Sequence, residues 1–124
     1  RDVAVTGVQT CALPIFLVFE VTPNLGRLGD YLEMAAALKS EVEKIDGFIS
    51  VERFESLTNK GKYLSISTWR DEAAIQRWRA HRDHRAAQKK GRDDIFADFR
   101  IRVAEVERDY TLADAKERAN KEVP

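Results

Sequence analysis

The side chains best suited to chemistry in this sequence cluster around two histidines in a charged segment. Trp78, His81, Arg85 and Gln88 follow one another at steps of three and four residues, so they fall on one side of a predicted helix. A histidine titrates near neutral pH and can accept a proton, whereas an arginine can hold an oxyanion with its N–H groups. His84 and Arg85 are therefore candidate catalytic residues, and Trp78, His81 and Gln88 are candidate substrate-binding residues. The alternative is that this segment is only a charged, solvent-exposed helix face.

A third candidate catalytic residue, Trp69, lies at the end of a predicted strand. It shares one strand face with Ser65 and Ser67, where a large aromatic ring either lines a pocket or packs in the core with its indole N–H paired. Weaker candidates for substrate binding, at strand, loop and connector positions that could reach a pocket mouth, are Tyr63, Asn24 and Arg92.

The charge balance and the motifs argue against several classes of protein. Twenty-one Lys and Arg residues balance twenty-one Asp and Glu residues, so the net charge does not favour nucleic acid or an anionic membrane as a partner. The apolar runs fall well short of the ~20 residues of a membrane-spanning helix. His81 and His84 with Asp83 are a weak metal signal, and no phosphate loop or dinucleotide fingerprint occurs. The sequence therefore indicates no resident metal or nucleotide cofactor.

The two ends of the sequence differ in character from its middle. The first fifteen residues, RDVAVTGVQTCALPI, closely resemble the peptide that results when a sequencing-adapter read is translated in frame. We therefore expect 1–15 to be a non-native leader, 16–110 to form the domain and 111–124 to be a charged, partly ordered tail. Cys11 is the single cysteine, so no internal disulfide can form. That fits a reducing compartment, and we expect the protein to work in the cytoplasm.

Hydrophobic periodicity predicts the strands and helices that must position the candidate residues. Apolar runs of strand length occur at 16–21, 48–56, 62–70 and 99–110. Apolar residues at helical spacing predict helices over 27–46 and 71–90, with Asp71 as an N-cap and with Gly47 and Gly91 at the C-terminal ends. The order β-α-β-β-α-β predicts an α+β, ferredoxin-like fold with an antiparallel sheet.

The predicted sheet is apolar on both faces, although two helices can cover only one of them. In the first strand Leu17 and Phe19 share one face, and Phe16 and Val18 share the other. Docking of a second copy, sheet to sheet, is the economical way to cover the second face, and it would bury well over ~1,000 Å². We therefore expect a homodimer that forms a dimeric α/β barrel.

Four stretches of the sequence resemble the antibiotic biosynthesis monooxygenase family. They are EKIDGFISVERFES, LSISTWRDEAAIQRWR, HRAAQKKGR and RIRVAEVERDY, and the resemblance extends over 16–110. It implies a homodimer with a pocket in each subunit, between the sheet and the helices. It also implies oxidation of a small aromatic or quinol-like substrate with O₂, without metal or flavin.

Oxygenation without a cofactor needs a base, a cation or donor for the resulting anion, and a pocket lined by aromatic rings. In this interpretation His84 is the base, Arg85 holds the anion and Trp69 is a pocket wall. One alternative is a non-catalytic dimeric barrel that binds a small molecule or serves in a stress response. A second is haem binding, for which the resemblance implies an axial histidine ten residues after a helix tryptophan. Gln88 stands ten residues after Trp78, so haem is disfavoured.

Overall fold

The computed structural model describes residues 13–122. Its strands are β1 (Ile15–Pro23), β2 (Phe48–Glu55), β3 (Tyr63–Trp69) and β4 (Phe96–Glu105). Its helices are α1 (Leu28–Val42), α2 (Glu72–Arg79), α3 (Arg82–Lys90) and α4 (Leu112–Glu122), with a π-helical turn at Gly91–Ile95. The strands form one antiparallel sheet in the order β2-β3-β1-β4, which confirms the predicted α+β, ferredoxin-like architecture. In this part of the chain, every helix is too short or too polar to cross a bilayer.

The cross-strand register fixes which side chains share the helix-covered face of the sheet. Phe19 in β1 is opposite Ser65 in β3 and Ile101 in β4, and Ser65 is opposite Arg53 in β2. Residues directly opposite each other in an antiparallel ladder lie on the same face, so these four residues form one row across the sheet. The neighbouring row consists of Val51, Ser67, Leu17 and Val103.

Two clusters of buried side chains join the helices to this face. The first, which we call the tryptophan cluster, consists of Val42, Trp69, Ala74, Ile75 and Trp78. The second, which we call the tyrosine cluster, consists of Val21, Tyr31 and Ile95, with Phe19 and Phe96 packed against them. Trp69 is opposite Ile15 and Tyr63 is opposite Val21, so the two clusters lie at opposite ends of β1.

The other face of the sheet is also apolar, as the sequence predicts. Val18 in β1 is opposite Ile66 in β3, and Phe16 and Leu64 lie on the same side. Neither buried cluster of the described residues contains any of these four side chains. We call this surface the open face.

The helix predicted over 71–90 is interrupted in the structure, so the prediction of one continuous helix was wrong. Asp71 caps α2 as predicted, because its side chain accepts a hydrogen bond from the Ala74 N–H at 2.9 Å. After α2 ends, His81 takes an extended backbone conformation and caps α3 by accepting the Asp83 N–H at 3.1 Å. A side chain that binds a nearby backbone N–H competes with the helical hydrogen bonds. In addition, α3 buries no residue fully, so no core packing holds it on the axis of α2.

α3 ends at Lys90 with Gly91 as its C-cap, as predicted, but the reason for a glycine there differs from that of a usual C-terminal glycine. Gly91 keeps a right-handed helical conformation, with a φ of −62°, and begins the π-helical turn. A Cβ atom there would lie 2.3 Å from an atom of the Phe96 ring. Glycine is therefore required by the close approach of that ring and not by a left-handed backbone. The turn leads into β4 at Phe96, earlier than the predicted start at 99.

The ends of the chain differ from the sequence-based boundaries where the structure describes them. β1 begins at Ile15, inside the segment predicted as a leader, and residues 1–12 of that segment lie outside the described residues. The predicted tail contains α4, whose first turn is capped by reciprocal hydrogen bonds between Thr111 and Asp114. The last two positions, 123–124, are again outside the described residues.

Gly47 is a position at which one added methyl group should strongly destabilise the fold. Its φ of +99° is unfavourable for residues with a Cβ, and a Cβ there would lie 2.6 Å from the Ala74 Cβ. We expect Gly47→Ala to lower the free energy of unfolding by about 3 kcal/mol, through backbone strain and overpacking together. Gly61→Ala, with a φ of +85° and open space around it, should lose about 1 kcal/mol through strain alone. Urea denaturation measures both losses, and equal values would contradict the packing argument.

Candidate functional site

The His84 imidazole is stacked on the Trp78 indole. Their ring centroids are 4.5 Å apart and their planes differ by 14°. The Nδ1 atom of His84 lies 3.1 Å from the carbonyl oxygen of Trp78. Because a carbonyl can only accept a hydrogen bond, Nδ1 carries the proton and Nε2 of the neutral ring keeps its lone pair. A free lone pair on a partly buried ring is what a proton acceptor needs.

Burial keeps the His84 ring uncharged at neutral pH. Removal from water is the main cause that lowers the pKa of His84 below its usual range, and the electrostatic effects of His81 and Arg79 act in the same direction. The hydrogen bond to the Trp78 carbonyl raises the pKa by a smaller amount. The ring is therefore able to accept a proton at neutral pH.

The lowered pKa of His84 should make the stability of the fold sensitive to mild acid. The unfolded chain binds the proton more tightly, so the free energy of unfolding is highest above the unfolded pKa of about 6.5. It should fall as the pH decreases from there through the lower pKa of the folded state. We expect His84→Gln to flatten this decrease, as measured by urea titrations at about pH 7.5 and about pH 5.5. An undiminished acid loss in the variant would assign the effect to other groups.

His81 has a structural role between α1 and α3. Its Nδ1 accepts the Asp83 N–H, and its Nε2 lies 3.4 Å from Oε1 of Glu41. Ligand atoms of Glu41, His81 and Asp83 lie within 4.8 Å of one another, close enough to suggest a metal. However, a metal would need the Nε2 lone pair, whereas the cap on Nδ1 places the proton of a neutral ring on Nε2. The arrangement therefore fits a helix cap with a carboxylate partner better than a metal cage.

Trp69 lies in the core with its polar atom already paired. Its side chain is almost fully buried, and its Nε1 donates a hydrogen bond of 2.8 Å to the Ser67 hydroxyl. Its ring meets Phe48 edge-on at 5.2 Å and belongs to the tryptophan cluster beside Trp78. Trp69 can thus offer a ring face or edge to a ligand but no free N–H.

Three of the predicted site residues lie together on a cationic cavity. Arg85, Gln88 and Arg92 line an open cavity of about 480 Å³ on α3 and the π-helical turn, together with Arg82, Ala86 and Lys89. Arg82, Lys89 and Arg92 pair with Asp83 or Asp93, so the charge that this cavity offers to an anion comes mainly from Arg85. His84 is the neighbour of Arg85 in the chain, but it does not line this cavity.

Gln88 also bears on whether haem fits the chain. Trp78 lies in α2 and Gln88 in α3, so the interruption at His81 breaks the helical spacing between them. A glutamine amide is not among the side chains that ligate haem iron in proteins. The position that the resemblance gives to an axial histidine therefore does not fit haem.

Tyr63 lies at the other end of the sheet from Trp69. It lines a second, smaller open cavity of about 250 Å³ near the β2–β3 hairpin, together with Glu20, Phe54 and Lys62 among others. The Lys62 ammonium pairs with Glu20 at 2.8 Å. The cations around Glu20, of which Lys62 is the main one, lower the pKa of that carboxyl, so Glu20 is a weak base at neutral pH.

Asn24 is used to hold the loop after β1 against the π-helical turn. Its side-chain amide donates to the Asp94 carbonyl at 2.9 Å, and its backbone N–H donates to the Ile95 carbonyl at 2.8 Å. Arg27 makes two hydrogen bonds to the Asp94 carboxylate, which hold the pKa of Asp94 well below its usual range. The Asn24 side-chain amide therefore holds this loop in place by its hydrogen bond to Asp94.

Tyr31 is a candidate that the sequence pattern did not reveal. It lies among the apolar residues at helical spacing in α1, but its buried hydroxyl has no hydrogen-bond partner among the described residues. The Arg53 guanidinium carbon lies 5.9 Å from the centre of its ring. The available signal was the residue type, since a tyrosine in an apolar stripe needs a partner for its hydroxyl.

The nine predicted site residues thus fall into separate places. The Trp78 ring contacts both histidine rings, His81 at 5.2 Å and His84 at 4.5 Å between centroids. Trp69 packs beside this group in the tryptophan cluster. The other five are divided among the cationic cavity, the hairpin cavity and the loop after β1: Arg85, Gln88, Arg92, Tyr63 and Asn24.

Related sequences point to one family. The sequence model of the antibiotic biosynthesis monooxygenase family matches residues 14–90. A protein of Pyricularia oryzae named jasmonate monooxygenase ABM is 42% identical over 90 residues, which are 73% of this chain and 42% of that protein. YqjZ of Bacillus subtilis is 35% identical over 78 residues, which are 63% of this chain and 67% of that protein. The chain therefore spans less than half the length of the first of these relatives.

Solved structures agree on the fold. A variant of SnoaB from Streptomyces nogalater, described as a cofactor-independent oxygenase, matches with a TM-score of 0.69 at 16% identity, over 82% of this chain and 98% of that chain. PA3566 from Pseudomonas aeruginosa matches with a TM-score of 0.68 at 17% identity, over 81% of this chain and 100% of that chain. At sequence identities this low, the similarity shows a shared fold and nothing about activity. Because the family's sequence model covers more than half of its residues, the chain belongs to the antibiotic biosynthesis monooxygenase family.

Proposed function

We propose that this chain is a cofactor-independent monooxygenase that oxidises a small aromatic or quinol-like molecule with O₂. The observation that carries the proposal is His84, a neutral imidazole with a free Nε2 lone pair, stacked on Trp78. Membership of a monooxygenase family, a relative named as a jasmonate monooxygenase and a fold shared with a cofactor-independent oxygenase support this class of reaction.

In the proposed reaction the substrate supplies the electrons that reduce O₂. His84 removes a proton from an activated CH₂ group, and the resulting carbanion or enolate transfers electrons to O₂ and forms a C–O bond. The peroxide then loses its outer oxygen as water, taking the proton back from His84 and the remaining hydrogen from the carbon. A CH₂ group and O₂ thereby become C=O and H₂O, so atoms and electrons balance without another reductant.

The other candidate residues receive supporting roles in this proposal. Trp69 and Trp78 would form the aromatic wall against which a flat substrate lies. Arg85, Gln88 and Arg92 would attract an anionic substrate to this part of the surface from the cationic cavity. The support for these roles is the shared cluster of the two indoles and the positive charge of the cavity lining.

We also propose that the protein works as a homodimer in the cytoplasm. The support for the dimer is the open face, where Phe16, Val18, Leu64 and Ile66 belong to neither buried cluster of the described part of the chain. The support for the cytoplasm is the single cysteine, Cys11, which cannot form an internal disulfide.

Oxygen consumption by the purified full chain tests the proposed function. Anthrones, naphthols, quinols and jasmonate would be supplied in turn, with a chelator and without added metal or flavin. Uptake above the buffer rate, with a carbonyl product and no accumulated hydrogen peroxide, is the expected result. No uptake with any of these compounds from folded protein would contradict the proposal and favour a non-catalytic, small-molecule-binding protein.

A further inference from the structure

The Tyr31 hydroxyl is a buried polar group without a partner. Tyr31 is 4% exposed, and no described residue forms a hydrogen bond with its hydroxyl. A buried hydroxyl without a hydrogen bond destabilises a fold, and such groups are rare in native proteins. Phenylalanine would pack the same ring without this cost. The hydroxyl therefore indicates that something outside the described chain completes its hydrogen bonding.

A positive charge lies beside the same ring. The guanidinium carbon of Arg53 is 5.9 Å from the centre of the Tyr31 ring. Within the described residues Arg53 pairs with no carboxylate, in contrast to Arg27, which is held by Asp94. The register places Arg53 opposite Ser65, a small and buried residue on the helix-covered face. The Tyr31 hydroxyl and the Arg53 guanidinium are thus two different kinds of hydrogen-bond donor near the same ring.

Other aromatic rings pack against the Tyr31 ring. Phe96 meets the Tyr31 ring edge-on with centroids 5.7 Å apart, and Phe19 lies at 6.4 Å. Phe99 extends the same group, 5.9 Å from Phe19, and is partly exposed at the edge strand. Rings in such an arrangement favour a flat aromatic ligand.

We propose that Tyr31 and Arg53 hold the ionised oxygen of the substrate at the tyrosine-cluster end of the helix-covered face, and select an aromatic molecule that carries a phenolate or a carboxylate. This inference rests on the proposed function, because it names the class of substrate for that reaction. An anion satisfies both groups at once, since the hydroxyl donates one hydrogen bond and the guanidinium supplies further N–H donors and the counter charge. A neutral molecule or a water satisfies the hydroxyl but makes no use of the Arg53 charge, which is exposed to solvent.

Equilibrium binding of three naphthalene probes to the full chain tests the inference. 2-Naphthoate carries a carboxylate, 2-naphthol supplies a phenolate at alkaline pH, and 2-naphthalenemethanol is a neutral molecule with the same rings. Calorimetric titration would compare the wild type with Tyr31→Phe and Arg53→Gln. Tyr110→Phe and Arg118→Gln are matched controls, because Arg118 lies 5.2 Å from the centre of the exposed Tyr110 ring in a second arginine–tyrosine pair.

We expect Tyr31→Phe and Arg53→Gln each to weaken the binding of at least one anionic probe by about tenfold or more, because a hydrogen bond to a charged group is lost. The neutral probe should change by less than about threefold. The anionic probe with the larger loss identifies the kind of ionised oxygen that the site takes. Tyr31→Phe should unfold at the wild-type temperature or above it without ligand, since it removes an unpaired buried hydroxyl. This second measurement separates a binding role from a structural one.

The remaining outcomes would overturn the inference. They are unchanged affinity for both anionic probes in Tyr31→Phe and Arg53→Gln, equal losses in the matched controls, or no binding of any probe to the wild type. Oxygen uptake is measured separately on the same proteins. Uptake with unaffected anion binding would reject the anion-binding role of Tyr31 and Arg53 alone, whereas selective anion binding without uptake would reject only the proposed oxygenase reaction.

Discussion

His84→Gln should lower the rate of oxygen uptake with any substrate that the protein oxidises by about 100-fold or more, because general-base catalysis contributes on the order of 10²–10⁴. Glutamine is similar in length and can still donate a hydrogen bond to the Trp78 carbonyl, but its amide cannot accept a proton as imidazole does. The fold should therefore survive the change. Steady-state oxygen consumption, together with the thermal unfolding of the variant, measures both effects.

The matched control for this prediction is the other histidine. His81→Asn removes an imidazole that also touches Trp78, but asparagine is a good N-cap and can keep α3 in place. Its rate of oxygen uptake should stay within about threefold of the wild type. The wild-type rate should also fall as the pH decreases through the lowered pKa of His84, since only the neutral ring accepts a proton. If His81→Asn lost most of its oxygen uptake while His84→Gln stayed active, the base would be His81 and not His84.

Local patterns predicted most of the fold. Strict alternation in β3 fixed its two faces, and Asp71 was identifiable as an N-cap because aspartate commonly accepts the N–H groups of a first turn. The interruption at His81 was not predictable in this way, because a histidine ring rarely caps a helix. The role of Gly91 depended on the Phe96 ring, a contact that only the assembled fold creates.

The contact between His84 and Trp78 explains why the site was only partly predictable. Residues six apart on a continuous α-helix point in different directions, so the helical pattern placed Trp78 with His81, Arg85 and Gln88. The interruption before α3 instead brings the His84 ring onto the Trp78 indole. The candidate base was therefore identified by its residue type, whereas its partner was set by a break in the helix.

Tyr31 shows what hydrophobic periodicity can describe and what it cannot. Its spacing fits the apolar side of α1, and the residue is buried. Periodicity describes burial and carries no information about whether a buried hydroxyl finds an acceptor. That question depends on residues from β1, β2 and β4 that meet only in the folded chain.

Ile66→Glu should convert the proposed dimer into monomers. Ile66 and Val18 are opposite each other within the open face, so an isologous sheet-to-sheet interface would bury the new carboxylate of both copies. Burying unpaired charges costs several kcal/mol, which corresponds to a dissociation constant raised by about 1,000-fold or more. Leu57→Glu makes the same change on the fully exposed hairpin loop and should leave the dimer intact. Sedimentation velocity over a range of concentrations measures both variants.

Two results would contradict the dimer: a wild type that sediments as a monomer at every concentration, or an Ile66→Glu variant that stays dimeric. The monomeric variant also tests where the pocket ends. α3 follows α2, and the α2 side chains Ala74, Ile75 and Trp78 pack on the helix-covered face, opposite to Ile66. A monomer that keeps its oxygen uptake would therefore mean that one subunit holds a complete pocket, whereas a folded but inactive monomer would mean that the partner copy shapes it.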